Sequence, residues 1–485
     1  MVFGRLFGAR RERSELRRRA AALAAPPSFS VIAADPAAAA ELVYPAFEVV
    51  ADLAAARGEF VAFVGPGERP ARDALLAVAE AVAREPDADL VYSDEQVDGC
   101  TPFHKPDWSP ALLLAQPYVL RFCAWRRDRV LGVGGLRAAA GAAQDYDLAL
   151  RVGEAARRVV HVPQLLGRAR AARPPAADDL RVAAEAAARQ GLCAEVRRSR
   201  VAHVYEVSVR PRGWEPVTVI VPTRDRLDLL RVCVDSVLAR TRHPRFSLLI
   251  VDNGSVEPAT QVQLRSWQQD PRVRVLADPS PFNYSALMNR AVRAADTPLV
   301  ALLNNDTEVL APDWLAEMAG WMEWPSVGAV GARLRYGDGS IQHAGIVLGI
   351  GGVASHGHKG SPGDAAGYHG LLHSVRDVSA VTAACMLTRR DLFLDAGGFE
   401  EQLGVAYNDV DYCLRLRARG RRILFAPLAE LHHFEGMSRG DDRRGSARFD
   451  REQALMQARW GAALRADPFY NPNLSLQATD YRLRR

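Results

Sequence analysis

A chain of 485 residues that is 48% hydrophobic and 25% charged has room for two or three cored domains and lacks the bias of disordered or fibrous sequences. Its net charge of +5 is almost wholly arginine on the positive side, Lys105 and Lys359 being the only lysines; the balance is too mild to argue for nucleic acid by itself, and anionic small molecules or a membrane surface are expected instead. Six scattered cysteines without a C-x-x-C pair, no apolar run of the roughly 18 residues that cross a bilayer and no signal-peptide core together predict a cytoplasmic protein with structural thiols.

Residues 1–27 read as a basic N-terminal tail closed by Pro26-Pro27. Val2, Phe3, Leu6 and Phe7 interleave with Arg5, Arg10, Arg11 and Arg13, which leaves two readings: a solvated tail, or peripheral contact with the inner face of the cell membrane. A first domain is expected over 28–175, beginning with the strand-like run from Ser28 to Ala34. Alanine-rich helical sequence and a polar, proline-bearing connector fill 176–216.

A second domain, 217–485, opens on Val217-Thr-Val-Ile-Val-Pro-Thr223, a β-branched strand stopped by proline, then a helix marked by Leu227, Leu230, Cys233, Val234 and Val237. Further strands, Phe246 to Val251 and Leu299 to Leu303, stop at Asp252-Asn-Gly-Ser255 and Asn304-Asn-Asp-Thr-Glu308. Strands alternating with helices predict a mostly parallel sheet, with ligands beyond the carboxyl ends of the strands, where these polar clusters fall.

One pattern occurs twice. Gln144-Asp-Tyr-Asp-Leu-Ala-Leu-Arg151 and Asn408-Asp-Val-Asp-Tyr-Cys-Leu-Arg415 lie 264 positions apart (408 − 144), each after a similar lead-in ending in Gly134-Gly-Leu136 or Gly397-Gly-Phe399. One fold used twice is the simplest account.

Val221-Pro-Thr-Arg-Asp225, Ile250-Val-Asp-Asn-Gly-Ser255, Phe282-Asn-Tyr-Ser285 with Asn289, Leu302-Leu-Asn-Asn-Asp-Thr307 and Asn408-Asp-Val-Asp411 resemble, in order and spacing, the motifs of family-2 inverting glycosyltransferases. The resemblance extends through Ile341 to Gly345, Leu431-His-His433 with Ser438-Arg-Gly440, and Tyr470-Asn-Pro-Asn-Leu474, and is strongest with tandem-domain, O-antigen or rhamnosyl-type transferases of surface polysaccharide. It implies an α/β GT-A fold with a Rossmann-like mixed sheet, one degenerate N-terminal copy and one complete C-terminal copy. It also implies a nucleotide-diphosphate sugar donor, with a uridine or thymidine nucleotide favoured, a glycan or lipid-linked glycan acceptor, and a divalent metal, Mg²⁺ or Mn²⁺.

Carried over residue by residue, the resemblance puts Pro222, Thr223, Asp225, Asp252, Asn304 and Asn305 on the nucleotide sugar, Asp306 on the metal and Asp409 in the role of catalytic base. A carboxylate at a strand end can accept hydrogen bonds from a nucleobase imide or ribose, one carboxylate with diphosphate oxygens and waters can complete an octahedral site, and a one-step displacement needs a base for the acceptor hydroxyl. Each has a plainer alternative: an Asx-turn for Asp252, a turn or cap for Asn304 to Asp306, a helix N-cap for Asp409. Asn304 and Asn408 stand where the family usually has acids. A metal- or phosphate-contacting histidine is expected at His432 or His433, with His432 preferred and an interfacial pair as the alternative. Arg439 either covers the diphosphate or sits in a surface ion pair. Asp411 and Arg415 are expected to pair along their helix. His356, His358 and His369 lie in the glycine-rich stretch from Gly345 to Gly370, expected as a mobile loop over the acceptor side rather than a zinc site.

In the first copy, Glu59 to Val64 resembles the strand before Asn304 but runs into Gly65-Pro-Gly-Glu68, without an aspartate for a metal. Ser28 to Asp35 resembles Arg245 to Asp252, which leaves the opening Val-Pro-Thr strand without a counterpart. The expected role of this half is to bind glycan or to pack. A non-catalytic glycan-binding scaffold and a sugar nucleotidyltransferase remain as alternatives for the whole; the latter would need a glycine-rich basic loop after Val221.

Overall fold

The computed structural model describes residues 2–434 and 446–484, with the side chains of the first helix described from Glu12 onward. Ser438-Arg-Gly440 therefore lies outside the described residues, as do the apolar side chains on which membrane contact would depend. Among the described residues no helix is long and apolar enough to cross a membrane. The chain divides into two compact units, one of residues 1–186 with Tyr470–Leu474 and one of residues 187–469 with Ser475–Arg485.

In the first unit, the segment expected as a tail is largely the helix Val2–Ala21, with Leu16 and Ala20 buried in the apolar core. Its strands are β1 (Phe29–Ala33), β2 (Phe47–Val50), β3 (Phe60–Val64), β4 (Glu68–Pro70), β5 (Ala88–Val97), β6 (Cys123–Arg126) and β7 (Arg158–Ala169). They form one mixed sheet in the order β2-β1-β3-β6-β5-β7-β4. Tyr470–Leu474, expected with the second domain, belongs here: Asn471 Nδ2 donates to both oxygens of buried Asp94, at 3.0 and 3.1 Å, and to the Lys105 carbonyl. Burial pushes the Asp94 carboxyl up, but hydrogen bonds from His104 and His161 outweigh it and hold the group at about 2. The motifs from Tyr92 to Glu95 and around Lys105 thus serve the interior of this unit.

The second unit begins with the hairpin β8 (Ala194–Arg198) and β9 (Tyr205–Val209), so the residues taken as a connector are partly folded structure. Then follow β10 (Val217–Thr223), β11 (Phe246–Asp252), β12 (Val273–Ala277), β13 (Leu299–Leu303), β14 (Thr307–Val309), β15 (Val327–Arg335), β16 (Ile341–His343), β17 (Ile346–Leu348), β18 (Ala354–His356), β19 (Arg376–Asp377), β20 (Cys385–Arg389) and β21 (Arg422–His433). The main sheet runs β12-β11-β10-β13-β20-β15-β21-β14. β10 is buried along its whole length, which is why its apolar residues run continuously instead of alternating. The β12 to β13 half is parallel, and β20 enters antiparallel between β13 and β15, giving a mixed sheet such as the resemblance implies rather than the mostly parallel one that the alternation of strands and helices predicts.

The sheets correct one alignment. The order β2-β1-β3-β6-β5-β7-β4 repeats β11-β10-β13-β20-β15-β21-β14 with the same direction at every pairing. By position β1 is therefore the counterpart of β10, not of β11 as its local sequence indicated, and the strand lacking a counterpart is the edge strand β12. Both β1 and β11 are short apolar runs with an Asp at or just past the end, Asp35 and Asp252, and only pairing distinguishes them.

The Gly345 to Gly370 stretch is also packed more closely than an acceptor-side loop would be. β17 and β18 pair as a hairpin, His343 and His356 approach at 2.8 Å between Nδ1 atoms, and buried His358 stacks on Tyr481 at 4.1 Å while accepting from the Tyr368 amide. Burial drives the pKa of His343 and His358 well below the ordinary value, so both are neutral interior groups.

Candidate active site

Thr223 and Asp252 end adjacent parallel strands in register, as do Pro222 and Val251. Asp252 Oδ1 accepts from the Ser255 amide three residues on, at 2.9 Å, a local bond that leaves the second oxygen at the strand end. Asp225 is committed locally: its Oδ1 accepts from the amides of Val256 and Glu257, at 2.8 and 2.9 Å, and its own amide donates to Ser255 Oγ. It braces the two strand ends, and its backbone takes φ +51°, with Arg226 beside it at the same φ.

Beyond β13, Asn305 Nδ2 donates to Thr223 Oγ1 at 3.2 Å, and Asn304 Nδ2 lies 3.3 Å from His433 Nε2. Asp306 follows, 3% exposed, with Oδ1 3.3 Å from His433 Nε2. The preference for His432 is corrected here. β14 pairs with β21 so that Thr307 faces His433 and Glu308 faces His432; side chains alternate, and His432 turns to Glu308 at 3.7 Å.

A buried carboxylate beside an imidazole is a donor set suited to Mn²⁺ or Mg²⁺, which complete their shells with phosphate oxygens and water. His433 Nδ1 is buried without a hydrogen-bond partner among the described residues, an uncompensated polar atom at this point. No group of three or more His, Cys, Asp or Glu forms a metal cluster among the described residues, so two protein donors are what the strand ends offer. Arg226 was missed by sequence reading. Its guanidinium is held charged by Asp228 first, and it also feels the Asp306 carboxylate. Its position two residues past the Val-Pro-Thr strand end was the available signal.

Asp409 is the second residue of the helix Asn408–Ala418. Its Oδ2 accepts from the Ala383 amide at 3.1 Å and its Oδ1 from Val410 at 2.8 Å, and it makes no ion pair among the described residues. Burial raises its pKa above the ordinary value, with the amides of Ala383 and Val410 opposing. The turn before β20 ties both halves of the site together: the Ala383 amide binds Asp409, while the Ala384 carbonyl accepts from the Asn304 amide at 3.1 Å.

Asn408 shows why an amide stands there. It is 3% exposed and turned inward, with Nδ2 donating to the carbonyls of Leu403 and Val405 at 3.3 and 3.2 Å, bonds an ionised carboxylate cannot make. Asp411 and Arg415 pair as expected, at 2.7 Å.

Comparison with known proteins points the same way. Residues 218–346 match Glycosyl transferase family 2. The chain is 42% identical over 449 residues to the uncharacterized protein y4gI of Sinorhizobium fredii, covering 88% of this chain and 49% of that one. It is 40% identical over 450 residues to the O-antigen biosynthesis protein RfbC of Myxococcus xanthus, covering 89% and 35%. Over 218 residues it is 27% identical to the N-acetylglucosaminyl-diphospho-decaprenol L-rhamnosyltransferase of Mycobacterium tuberculosis, covering 40% and 69%. The chain thus spans about half or less of the length of the first two relatives.

Proposed function

Because this chain carries a Glycosyl transferase family 2 domain on a GT-A sheet, we propose that it is an inverting transferase that moves a sugar from a nucleotide-diphosphate donor to a glycan or lipid-linked glycan in surface-polysaccharide assembly. The observation that carries this reading is the turn at residues 382–384, which holds Asp409 by one amide and the strand end leading to Asp306 by the next carbonyl. Base and diphosphate anchor are thereby fixed to one short piece of backbone. The RfbC and rhamnosyltransferase relatives support the polysaccharide and lipid-linked classes; a lipid-linked acceptor would bring the chain to the cytoplasmic face of the membrane.

Thr223, Asp252 and Asn305 receive the nucleoside side of the donor at the ends of β10, β11 and β13. Asp306 and His433 would hold a divalent cation, Mg²⁺ or Mn²⁺, which when bound neutralises charge on the departing diphosphate. Arg226, held by Asp228 through Nε and Nη2, adds positive charge on the same side. Asp409 takes the proton of the acceptor hydroxyl, and its raised proton affinity suits a general base working near neutral pH.

The test is sugar transfer, and hydrolysis in the absence of acceptor, from a panel of nucleotide sugars with Mn²⁺ or Mg²⁺. Asp306→Ala should abolish metal-dependent turnover. His433→Ala should weaken Mn²⁺ binding by about 10- to 100-fold, with His432→Ala close to wild type. Tight glycan binding with no turnover from any donor would sink the enzyme reading, and equal effects at the two histidines would sink the metal assignment.

A further inference from the structure

Nine residues, 399–407, join the Gly397-Gly398 turn to the helix that carries Asp409, without forming helix or strand of their own. Such a segment should be soft, yet its backbone is held almost continuously. On one side lies the helix Tyr284–Ala294, whose first turns carry the Phe-Asn-Tyr-Ser motif. Asn289 accepts from the Phe399 amide at 2.7 Å and donates to the Phe399 carbonyl at 2.9 Å. Asn283 donates to the Glu401 carbonyl at 2.8 Å, Ser285 Oγ to the Leu403 carbonyl, and the Tyr284 amide to the Gly404 carbonyl at 2.8 Å. The motif is thereby spent on this loop.

On the other side lies the helix Ala447–Trp460. Glu452, 2% exposed, accepts from the Val405 amide at 3.0 Å with one oxygen and from the Ala406 amide at 2.9 Å with the other. Its nearest cation among the described residues is Arg448 of the same helix, at 3.9 Å. The following residue, Tyr407, takes φ +63°, a left-handed conformation that residues with a Cβ rarely adopt and that persists only when its surroundings impose it. Its ring packs on Phe449, from the same helix as Glu452.

On the functional reading above, we infer that Glu452 is a positioning residue for Asp409: it and the clamp formed by Asn283, Ser285 and Asn289 grip opposite ends of the 399–407 loop and fix where the proposed base points. Glu452 touches neither Asp409 nor any reacting atom. It acts through three residues of backbone, and a carboxylate is required because both of its oxygens receive an N–H.

Glu452→Gln tests this in the full chain, since it keeps the volume and turns an NH₂ toward one of the two amides. The Asp409 titration, read by carboxyl ¹³C NMR with Asp409→Asn identifying the resonance, should fall by about half a unit or more as the carboxyl gains water. Amide exchange across 405–410 should accelerate about tenfold, and kcat should fall about tenfold with the donor KM within about twofold. Glu452→Asp keeps the charge but pulls it back by one methylene; it should give intermediate values, and it is the variant to read if the glutamine form does not fold. A folded variant with wild-type titration and exchange overturns the assignment, as does a loss of thermal stability with the Asp409 titration unmoved. If the wild type transfers no sugar, the functional reading fails while the NMR and exchange measurements still decide the role of Glu452.

Discussion

The helices Gln144–Ala155 and Asn408–Ala418 open on the same Asp-x-Asp pattern and use its second aspartate alike but its first differently. Asp147 and Asp411 are both fully buried, and each receives the arginine four residues on, Arg151 at 2.7 Å and Arg415 at 2.7 Å. Those arginines reach back to the same turn in each unit: Arg151 to the Val133 and Gly135 carbonyls, Arg415 to those of Ala396 and Gly398. Gly134-Gly135 and Gly397-Gly398 take matching left-handed values, φ +86° and +65° against +86° and +69°, which explains glycine at both places. The first aspartates diverge. Asp145 is half exposed and neutralised by two bonds from Arg173, at 2.9 and 3.0 Å, whereas Asp409 is partly buried, held by backbone amides, and raised in pKa by desolvation. At the proposed metal position the difference is starker: three residues past β13 stands Asp306, and three residues past β3 stands Gly67. The repeat preserves a framework, and the proposed chemistry depends on surroundings only one copy retains.

The largest expected effect separates the first aspartates. Asp409→Asn should slow sugar transfer by about 10²- to 10⁴-fold with donor binding retained, while Asp145→Asn leaves transfer unchanged; comparable losses would erase the contrast. A protonated Asp409 accepts no proton, so kcat should drop as pH falls through a midpoint above 3.8, the ordinary carboxyl value. An acid limb at or below that value would break the assignment.

The second aspartates should behave as equals. Asp147→Ala and Asp411→Ala each leave buried or half-buried arginines unpaired, at a cost of about 3 kcal/mol to the unit concerned, read from its own urea transition. A large cost in one unit and none in the other would show that the framework is not shared.

The smallest effect sharpens the comparison by isolating stability in the second unit. Burial raises the Glu317 pKa from 4.5 to about 7, despite the hydrogen bond from Ser208. The fold favours its neutral form, so this contribution is full below about 4.5 and is lost as pH rises through about 7. The thermal midpoint of the second unit should therefore decline over that window and lose the decline in Glu317→Gln; an unchanged slope would refute the assignment.

Much of this was legible in the residues. The strands ending at Thr223, Asp252 and Leu303 announce themselves by apolar runs stopped by proline or Asx residues, and the polar clusters after them meet at the sheet's carboxyl edge as such sheets require. The placement of Asp306 and Asp409 followed from the resemblance. His432 and His433 did not resolve, because adjacent residues on a strand face opposite ways and only the pairing of β14 with β21 sets which faces Asp306. Asp225 carried the right motif, but one of its carboxylate oxygens is engaged by two amides brought from another loop.

The sequence by itself determined the alternation of strand and helix, the repeat, the absence of an aspartate from Gly65 to Gly67 in the first copy and the polar character of the strand-end clusters, since period, turn residues and composition are local properties. Only the tertiary structure decided that β1 stands in the place of β10, that Tyr470–Leu474 lies with Asp94, that His433 rather than His432 meets Asp306, and that Asn408 faces the interior. Each of those depends on which distant strand or carbonyl arrives alongside. Local pattern fixes how a segment folds, and non-local pairing fixes what it faces.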